Sequence, residues 1–186
     1  MNPILNDVAE ELETEQLILR MPKPGDGTAV NAAITASLEE MKPWLGFALD
    51  EPSVEDTEVN TRQAHAKFLT RENLRYLIYL KDTEEFVGST GFHNINWDIP
   101  KVEIGYWIDT RLSGKGYMQE AVQKLTDFAL DDLGCRRVEI QCESENYRSR
   151  AIPEKLGYNL DGILKNDDLS VDGKRLTDTC IYSRVK

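Results

Sequence analysis

Apolar positions along the chain change their period several times, and each change marks an element. Leu17-Ile18-Leu19-Arg20-Met21 reads as a short strand that stops at Pro22-Lys23-Pro24-Gly25-Asp26. From Asp26 to about Met41 the apolar residues Val30, Ala33, Ile34 and Leu38 recur at helical spacing. Pro43-Trp44-Leu45-Gly46-Phe47 interrupts as an aromatic loop. The sequence predicts a second helix that opens at Ser53, with Asp56 as its capping partner, and runs to about Asn73. Leu74 to Leu80 and Phe86 to His93 flank the polar stretch Lys81 to Glu85 as a hairpin. Val102 to Ile108 alternates and is rich in strand formers, and Gly105 inside it suggests a bulge or a close backbone approach.

The second half opens with a glycine-containing turn, Arg111-Leu112-Ser113-Gly114-Lys115-Gly116. It leads into a helix whose Met118, Ala121, Val122, Leu125, Phe128 and Ala129 share one face, with Gly134 as its stop. Val138 to Cys142 reads as a strand, and Asn146 to Leu156 as a short helix disturbed by Pro153. Two last strands, about Tyr158 to Lys165 and Arg175 to Arg184, surround the turn Val171-Asp172-Gly173-Lys174. No repeat or linker divides the chain. The order β-α-α-β-β-β-α-β-α-β-β predicts one mixed α/β sheet in a single domain over residues 1–186, with residues 1–15 as an N-terminal extension.

Composition narrows the partners. A chain of 186 residues can bury a sizeable core without disulfides or a structural metal. Its 22 basic and 33 acidic residues give a net charge of −11, which repels phosphate backbones and argues against nucleic-acid binding. The same balance favours a cationic or amine-bearing partner. No apolar run approaches the roughly 20 residues of a membrane span, and the acidic start MNPILNDVAEELETEQ lacks the layout of a signal peptide. A cytoplasmic protein without a membrane partner is expected. Cys135, Cys142 and Cys180 are odd in number and form no CxxC pair, so reduced, buried thiols are expected rather than zinc or a disulfide framework.

A turn that leaves a strand and opens a helix exposes backbone N–H groups at the positive end of the helix dipole, ready for an anion. Three nucleotide motifs compete for this one. A P-loop needs Ser or Thr after Gly-Lys, but Lys115 is followed by Gly116. The dinucleotide fingerprint needs a third glycine where Gln119 stands. What remains, Arg-x-x-Gly-x-Gly between a strand and a helix, resembles the pyrophosphate-binding signature of the GNAT N-acetyltransferases. Its surroundings strengthen the resemblance. Glu103 to Ile108, Tyr117-Met118-Gln119-Glu120-Ala121, and the run Asn146 to Tyr158 with its closing Gly157-Tyr158 are similar to the RimJ/RimL branch. His93-Asn94-Ile95 and Asp178 to Ser183 fit the same branch, so the likeness extends from about Leu17 to Ser183.

That resemblance implies a fold, a cosubstrate and a reaction. Members acetylate α-amino groups of ribosomal proteins or other amines, using acetyl-CoA and no metal. Two parallel strands splay apart to receive the pantetheine, here Val102–Ile108 and Val138–Cys142, whose freed backbone groups would pair with it as with an added strand. By the same resemblance the amides of Gly114, Gly116, Tyr117 and Met118 bind pyrophosphate, with charge from Arg111 and Lys115. Backbone N–H groups of Trp107 and Ile108 would polarise the thioester carbonyl, and Asn146 would bond the pantetheine or cap a helix.

Direct transfer also needs a base for the amine and an acid for the leaving thiolate. Glu103, a carboxylate in an apolar strand, is the general-base candidate; its structural alternative is an ion pair with Lys101 or an arginine. Ser149 is the acid candidate, and a helix-capping role is compatible with that. His93 is read as a substrate-positioning or structural group, with direct acid–base work as the alternative. His65 is expected on the surface and Cys142 in the core.

Substrate choice is expected from the Lys42–Asp50 loop, the second helix and the Asn166–Arg175 turn. Trp44, Phe47 and Trp97 would line an apolar slot, surrounded by Glu39, Glu40, Asp50 and Glu51. This suits a protein N-terminus, with a small amine such as a polyamine as the alternative acceptor, on a monomer or homodimer. A third reading, an acyl-CoA-binding module without turnover, is disfavoured by the presence of Glu103 and Ser149.

Overall fold

The computed structural model describes residues 2–186. Eight strands form one mixed sheet, in the order β1-β2-β3-β4-β5-β6-β8-β7. They span Glu11–Glu13 (β1), Leu17–Arg20 (β2), Leu74–Leu80 (β3), Phe86–Asn96 (β4), Lys101–Ile108 (β5), Arg137–Glu143 (β6), Asn159–Leu169 (β7) and Leu176–Val185 (β8). Four helices cover it: α1 (Gly27–Met41), α2 (Val54–Thr70), α3 (Tyr117–Asp127) and α4 (Tyr147–Lys155). Every pairing is antiparallel except β5 with β6.

Local chemistry sets the boundaries of the helices. Ser53 caps α2 by accepting the Asp56 N–H at 3.0 Å, while its hydroxyl donates to the Asp56 carboxylate at 2.6 Å. The helix ends at Thr70, three residues before the expected Asn73, because Arg71 turns left-handed at φ 64°. Its guanidinium then donates to the Phe68 carbonyl at 2.7 Å, satisfying an end-of-helix acceptor. α1 is tied to α2 at its start, where Glu58 accepts from the N–H groups of Gly25 and Gly27 at 2.8 and 2.9 Å.

The sheet has a helix layer on each face. Val30, Ala33 and Ile34 of α1 pack with Leu77, Phe86 and Trp107 on one side. Met118, Ala121, Val122 and Leu125 of α3 join Leu19, Phe92, Ile104 and Val138 in the larger core. Strand alternation separates these sets: Leu77 and Trp107 face α1, whereas Ile104 and its neighbours two residues apart face α3.

One expectation needs correction here. The N-terminal segment is part of the sheet, since β1 pairs with β2 from Glu11↔Arg20 to Glu13↔Ile18. Val8 and Leu12 are buried, and Tyr76 donates its hydroxyl to the Ala9 carbonyl at 2.6 Å. A three-residue Glu-Leu-Glu strand offers too short a pattern to read from sequence. Leu12→Ala should therefore lower unfolding free energy by about 2–4 kcal/mol, as for other buried leucines. Chemical denaturation checks this, and a loss under about 0.5 kcal/mol, the range of surface substitutions, would show that the segment does not contribute to the core.

Candidate active site

β5 and β6 run parallel but pair only at Lys101↔Arg137, Val102↔Val138 and Glu103↔Glu139. Beyond that point β6 continues pairing with β8 as far as Glu143↔Thr179, and β5 with β4 as far as Ile108↔Gly88. The two strands thus part while each stays anchored on its outer side. A cavity of about 1130 Å³ occupies the opening, lined by Ile104 to Ile108, Gln141 to Glu143, and the start of α4.

The direction of the freed groups follows from the ladder. Asp109 donates its N–H to Val87 at 2.9 Å, which makes 87–109 a hydrogen-bonded pair. Alternation along the antiparallel β4–β5 pair then directs Trp107 N–H to β4, and the N–H groups of Tyr106 and Ile108 into the opening. Trp107 N–H, expected to face the opening, is therefore turned to β4, and the groups that face the opening are those of Tyr106 and Ile108. Trp107 instead contributes its indole, which packs between Phe47 and Phe86.

The same cavity reaches Ser113, Gly114, Gly116, Tyr117 and Met118 at the start of α3. None of the N–H groups from Gly114 to Met118 donates a hydrogen bond to a described residue. Gly114 and Gly116 hold φ of 77° and 87°, a conformation that presents these amides to one side and strains any L side chain. Arg111 departs from expectation. Its Nε donates to buried Asp109 at 2.9 Å, so its charge is neutralised, and it lines neither this cavity nor the next. Lys115 lies exposed on the turn, outside the cavity lining.

On the far wall, Asn146 caps α4 by accepting the Ser149 N–H at 3.1 Å, which leaves its amide NH₂ for a ligand. Pro153 has no N–H, so the carbonyl four residues earlier, Ser149, lacks its helical partner. Tyr106 fills that vacancy, donating its hydroxyl to the Ser149 carbonyl at 2.8 Å, and Ser149 Oγ donates to the Tyr106 hydroxyl at 3.3 Å. Burial raises the Tyr106 phenol above its ordinary value. Cys142 lines this wall too, and burial raises its thiol to about 11, so it stays protonated and is not a nucleophile at neutral pH.

A second cavity, of about 440 Å³, lies on the α1–α2 side of the sheet and meets the first at Leu45, Gly105, Tyr106 and Trp107. His93 lines it; Glu103 does not. The two are cross-strand partners on β4 and β5, with His93 Nε2 and Glu103 Oε1 3.1 Å apart. The register of β4 slips just after His93, and Asn94, left-handed at φ 48°, donates to Glu103 Oε2 at 2.9 Å. Although burial opposes the charge, these bonds and the field of His93 and Lys101 hold the Glu103 carboxyl below its ordinary value. The predicted pair with Lys101 is thus only a distant attraction, and the real partner is His93. Gly105 is explained as well. A Cβ there would stand 2.9 Å from His93 Cε1, so the imidazole lies over the bare backbone of β5 rather than beside a bulge.

The acetyltransferase (GNAT) domain family matches residues 16–159. The chain belongs to this family. Its curated relatives include "Putative ribosomal N-acetyltransferase YdaF" of Bacillus subtilis (strain 168), 32% identical over 92% of each chain. Ribosomal-protein-serine acetyltransferase of Escherichia coli (strain K12) is 28% identical over 77% of this chain and 80% of its own. Among solved structures, RimL, a ribosomal L7/L12 alpha-N-protein acetyltransferase in complex with coenzyme A, superposes with a TM-score of 0.87. It covers 95% of this chain and 98% of its own at 22% identity, a likeness of fold.

Within this GNAT domain the remaining expectations divide. Phe47 lines the smaller cavity and Trp44 the larger, whereas Trp97 lines neither and bonds the Arg71 carbonyl at 3.4 Å. The turn between β7 and β8 reaches neither cavity, and of the four acidic residues expected near the slot only Glu40 borders one. His65 is half-buried and bonds the Pro22 carbonyl at 2.7 Å, a structural tie rather than a surface residue. No cluster of metal-ligating side chains exists among the described residues, and no helix there is long and apolar enough to cross a membrane. Tyr106 was missed because strand alternation alone does not reveal which residue of α4 it meets.

The depressed carboxyl of Glu103 has a consequence for stability. Its ionised form contributes to folding at and above the ordinary carboxylate range near 4.3, and that contribution is lost as pH falls through the lower folded value. Glu103→Gln should therefore shrink the stability difference between pH 7 and pH 3 in urea denaturation. An unchanged difference would show that the His93–Glu103 contact does not favour the charged carboxylate.

Proposed function

We propose that this protein transfers the acetyl group of acetyl-CoA to an α-amino group at a protein N-terminus, directly and within a ternary complex. The observation that carries this reading is the meeting of two cavities at Gly105–Trp107, one bordered by free backbone amides and the other by His93. Two separate approaches to one short stretch of β5 suit a donor and an acceptor that react without an enzyme-bound acyl group. The inert Cys142 thiol agrees with that. Among relatives, the Escherichia coli protein is a ribosomal-protein-serine acetyltransferase and RimL a ribosomal L7/L12 alpha-N-protein acetyltransferase.

The residues present fit acetyl-CoA. Unpaired amides from Gly114 to Met118 suit its pyrophosphate, and the N–H groups of Tyr106 and Ile108 suit its amide and thioester carbonyls. When bound, the cosubstrate supplies an activated acyl carbon. His93 accepts the amine proton from its place on the cavity wall, and Glu103 orients the imidazole and stabilises its charge. We thus assign Glu103 a positioning role and move the base to His93. Ile108 N–H would face the oxyanion, and Ser149 Oγ, turning its proton from the Tyr106 hydroxyl to the sulfur, would protonate the departing thiolate and be reprotonated by solvent, to which the His93 imidazolium returns the amine proton.

The test is free-thiol release with acetyl-CoA and three acceptor classes: peptides with free α-amines, α-blocked peptides containing lysine, and polyamines. Only the first class should turn over efficiently. His93→Gln should lower turnover by about 10²–10⁴ while the rise in melting temperature caused by acetyl-CoA persists. Efficient acetylation of blocked peptides or polyamines, or a His93→Gln variant with normal turnover, would contradict the reading.

A further inference from the structure

The smaller cavity holds a cation that no carboxylate among the described residues pairs with. Arg75 lines it from β3, half-buried, and its Nη1 donates to the amide oxygen of Asn60 on α2 at 2.7 Å. A neutral amide fixes the direction of a guanidinium but leaves its charge uncompensated, with four of its five N–H donors still available. Six other arginines, Arg20, Arg62, Arg111, Arg137, Arg150 and Arg175, each pair with a carboxylate, while the half-buried Arg71 and Arg184 spend their donors on backbone carbonyls outside the cavity. In a chain of net charge −11, a half-buried arginine without a counterion is unexpected. Burial alone pulls its guanidinium below the ordinary value, with no acidic neighbour opposing the shift. Among the described residues the one carboxylate on the cavity wall is that of Asp56, which accepts from the Ser53 hydroxyl at the start of α2.

Strand register gives the distance from this cation to the chemistry. Arg75 on β3 lies opposite Gly91 on β4, and Gly91 lies opposite Gly105 on β5. All three point to the α1–α2 side. Two strand spacings separate Arg75 from Gly105, on the order of 10 Å. The floor between them carries no side chain. At Gly91 a Cβ would collide with the Leu74 carbonyl oxygen at 2.4 Å, and at Gly105 with the His93 ring at 2.9 Å. The result is a smooth trough with His93 and the donor opening at one end and an unpaired guanidinium at the other.

We propose that Arg75 is a specificity determinant that binds an anionic group of the acceptor, a carboxylate within about 10 Å of the reacting amine. This rests on the reading that the smaller cavity takes the acceptor. In a peptide, that spacing corresponds to an acidic side chain at the second or third residue. It reverses the charge argument made from composition, because the net acidity of the chain lies outside this trough. A guanidinium and a carboxylate here form a charge-assisted, two-point contact shielded from water, which discriminates strongly against an uncharged isostere.

The experiment compares kcat/KM on matched acceptors: peptides beginning Ser-Glu, Ser-Gln and Ser-Lys, and a small amino acid against its carboxamide. The parent enzyme should prefer Ser-Glu over Ser-Gln by about 10-fold to 100-fold, mostly through KM, and disfavour Ser-Lys further. Arg75→Gln should collapse the Glu/Gln ratio to within about threefold, and Arg75→Lys, which keeps the charge without the fork, should retain part of it. The acetyl-CoA-induced rise in melting temperature reports folding of each variant. No preference in the parent across both acceptor pairs, or a preference that survives Arg75→Gln, overturns the inference. An Arg75-dependent preference confined to the small amino acid would instead uphold Arg75 and overturn the protein N-terminus as acceptor.

Discussion

Parallel pairing between β5 and β6 lasts three residues and then stops, and the rest of the site depends on where it stops. Buried backbone amides without partners are costly, so strands do not separate inside a domain unless something else can use the freed groups. Here each strand keeps a full partner on its outer side, β4 for one and β8 for the other, which makes the separation affordable and rigid. The opening lies beside the first turn of α3, whose amides are unpaired for a different reason, the geometry of a helix start. Two sets of orphan donors from unrelated causes are thereby brought to one cavity.

The other side of β5 works through an absence. Gly105 has no side chain, so the His93 ring can lie across the strand, and Glu103 can hold it from behind. A side chain at position 105 would push the imidazole away from the junction of the two cavities. Gly91 extends the same bare floor toward Arg75. In this region the sheet is shaped as much by missing Cβ atoms as by the side chains that remain. Proline does comparable work on the opposite wall, where Pro153 frees the Ser149 carbonyl and so gives the Tyr106 hydroxyl its anchor.

Much of this architecture was legible in the sequence because its signals are local. Periodicity located β3 without error, α1 to within a residue, and the buried face from Met118 to Ala129 that runs through α3 into the helical turn after it. The glycine turn declared itself through spacing, and the capping pair at Ser53 through residue type. What sequence could not supply is register. Glu103 was recognisable as an anomalous carboxylate, but only cross-strand pairing shows that His93 stands between it and the cavity. Likewise, Trp107 or Tyr106 as the inward donor is decided by which pairs of the β4–β5 ladder are hydrogen-bonded. Arg75 resembled any polar residue of an alternating strand until its partner proved to be an amide rather than a carboxylate.

The central claim is that the backbone of β5, through Tyr106 and Ile108, receives the donor in the opening beside β6. Amide hydrogen exchange, resolved by residue with and without acetyl-CoA, tests it most directly. Tyr106 and Ile108 should gain protection together with the amides from Gly114 to Met118, while Trp107, already bonded to β4, should change little. Protection confined to Trp107, or no change anywhere along β5 at saturating acetyl-CoA, would contradict the account.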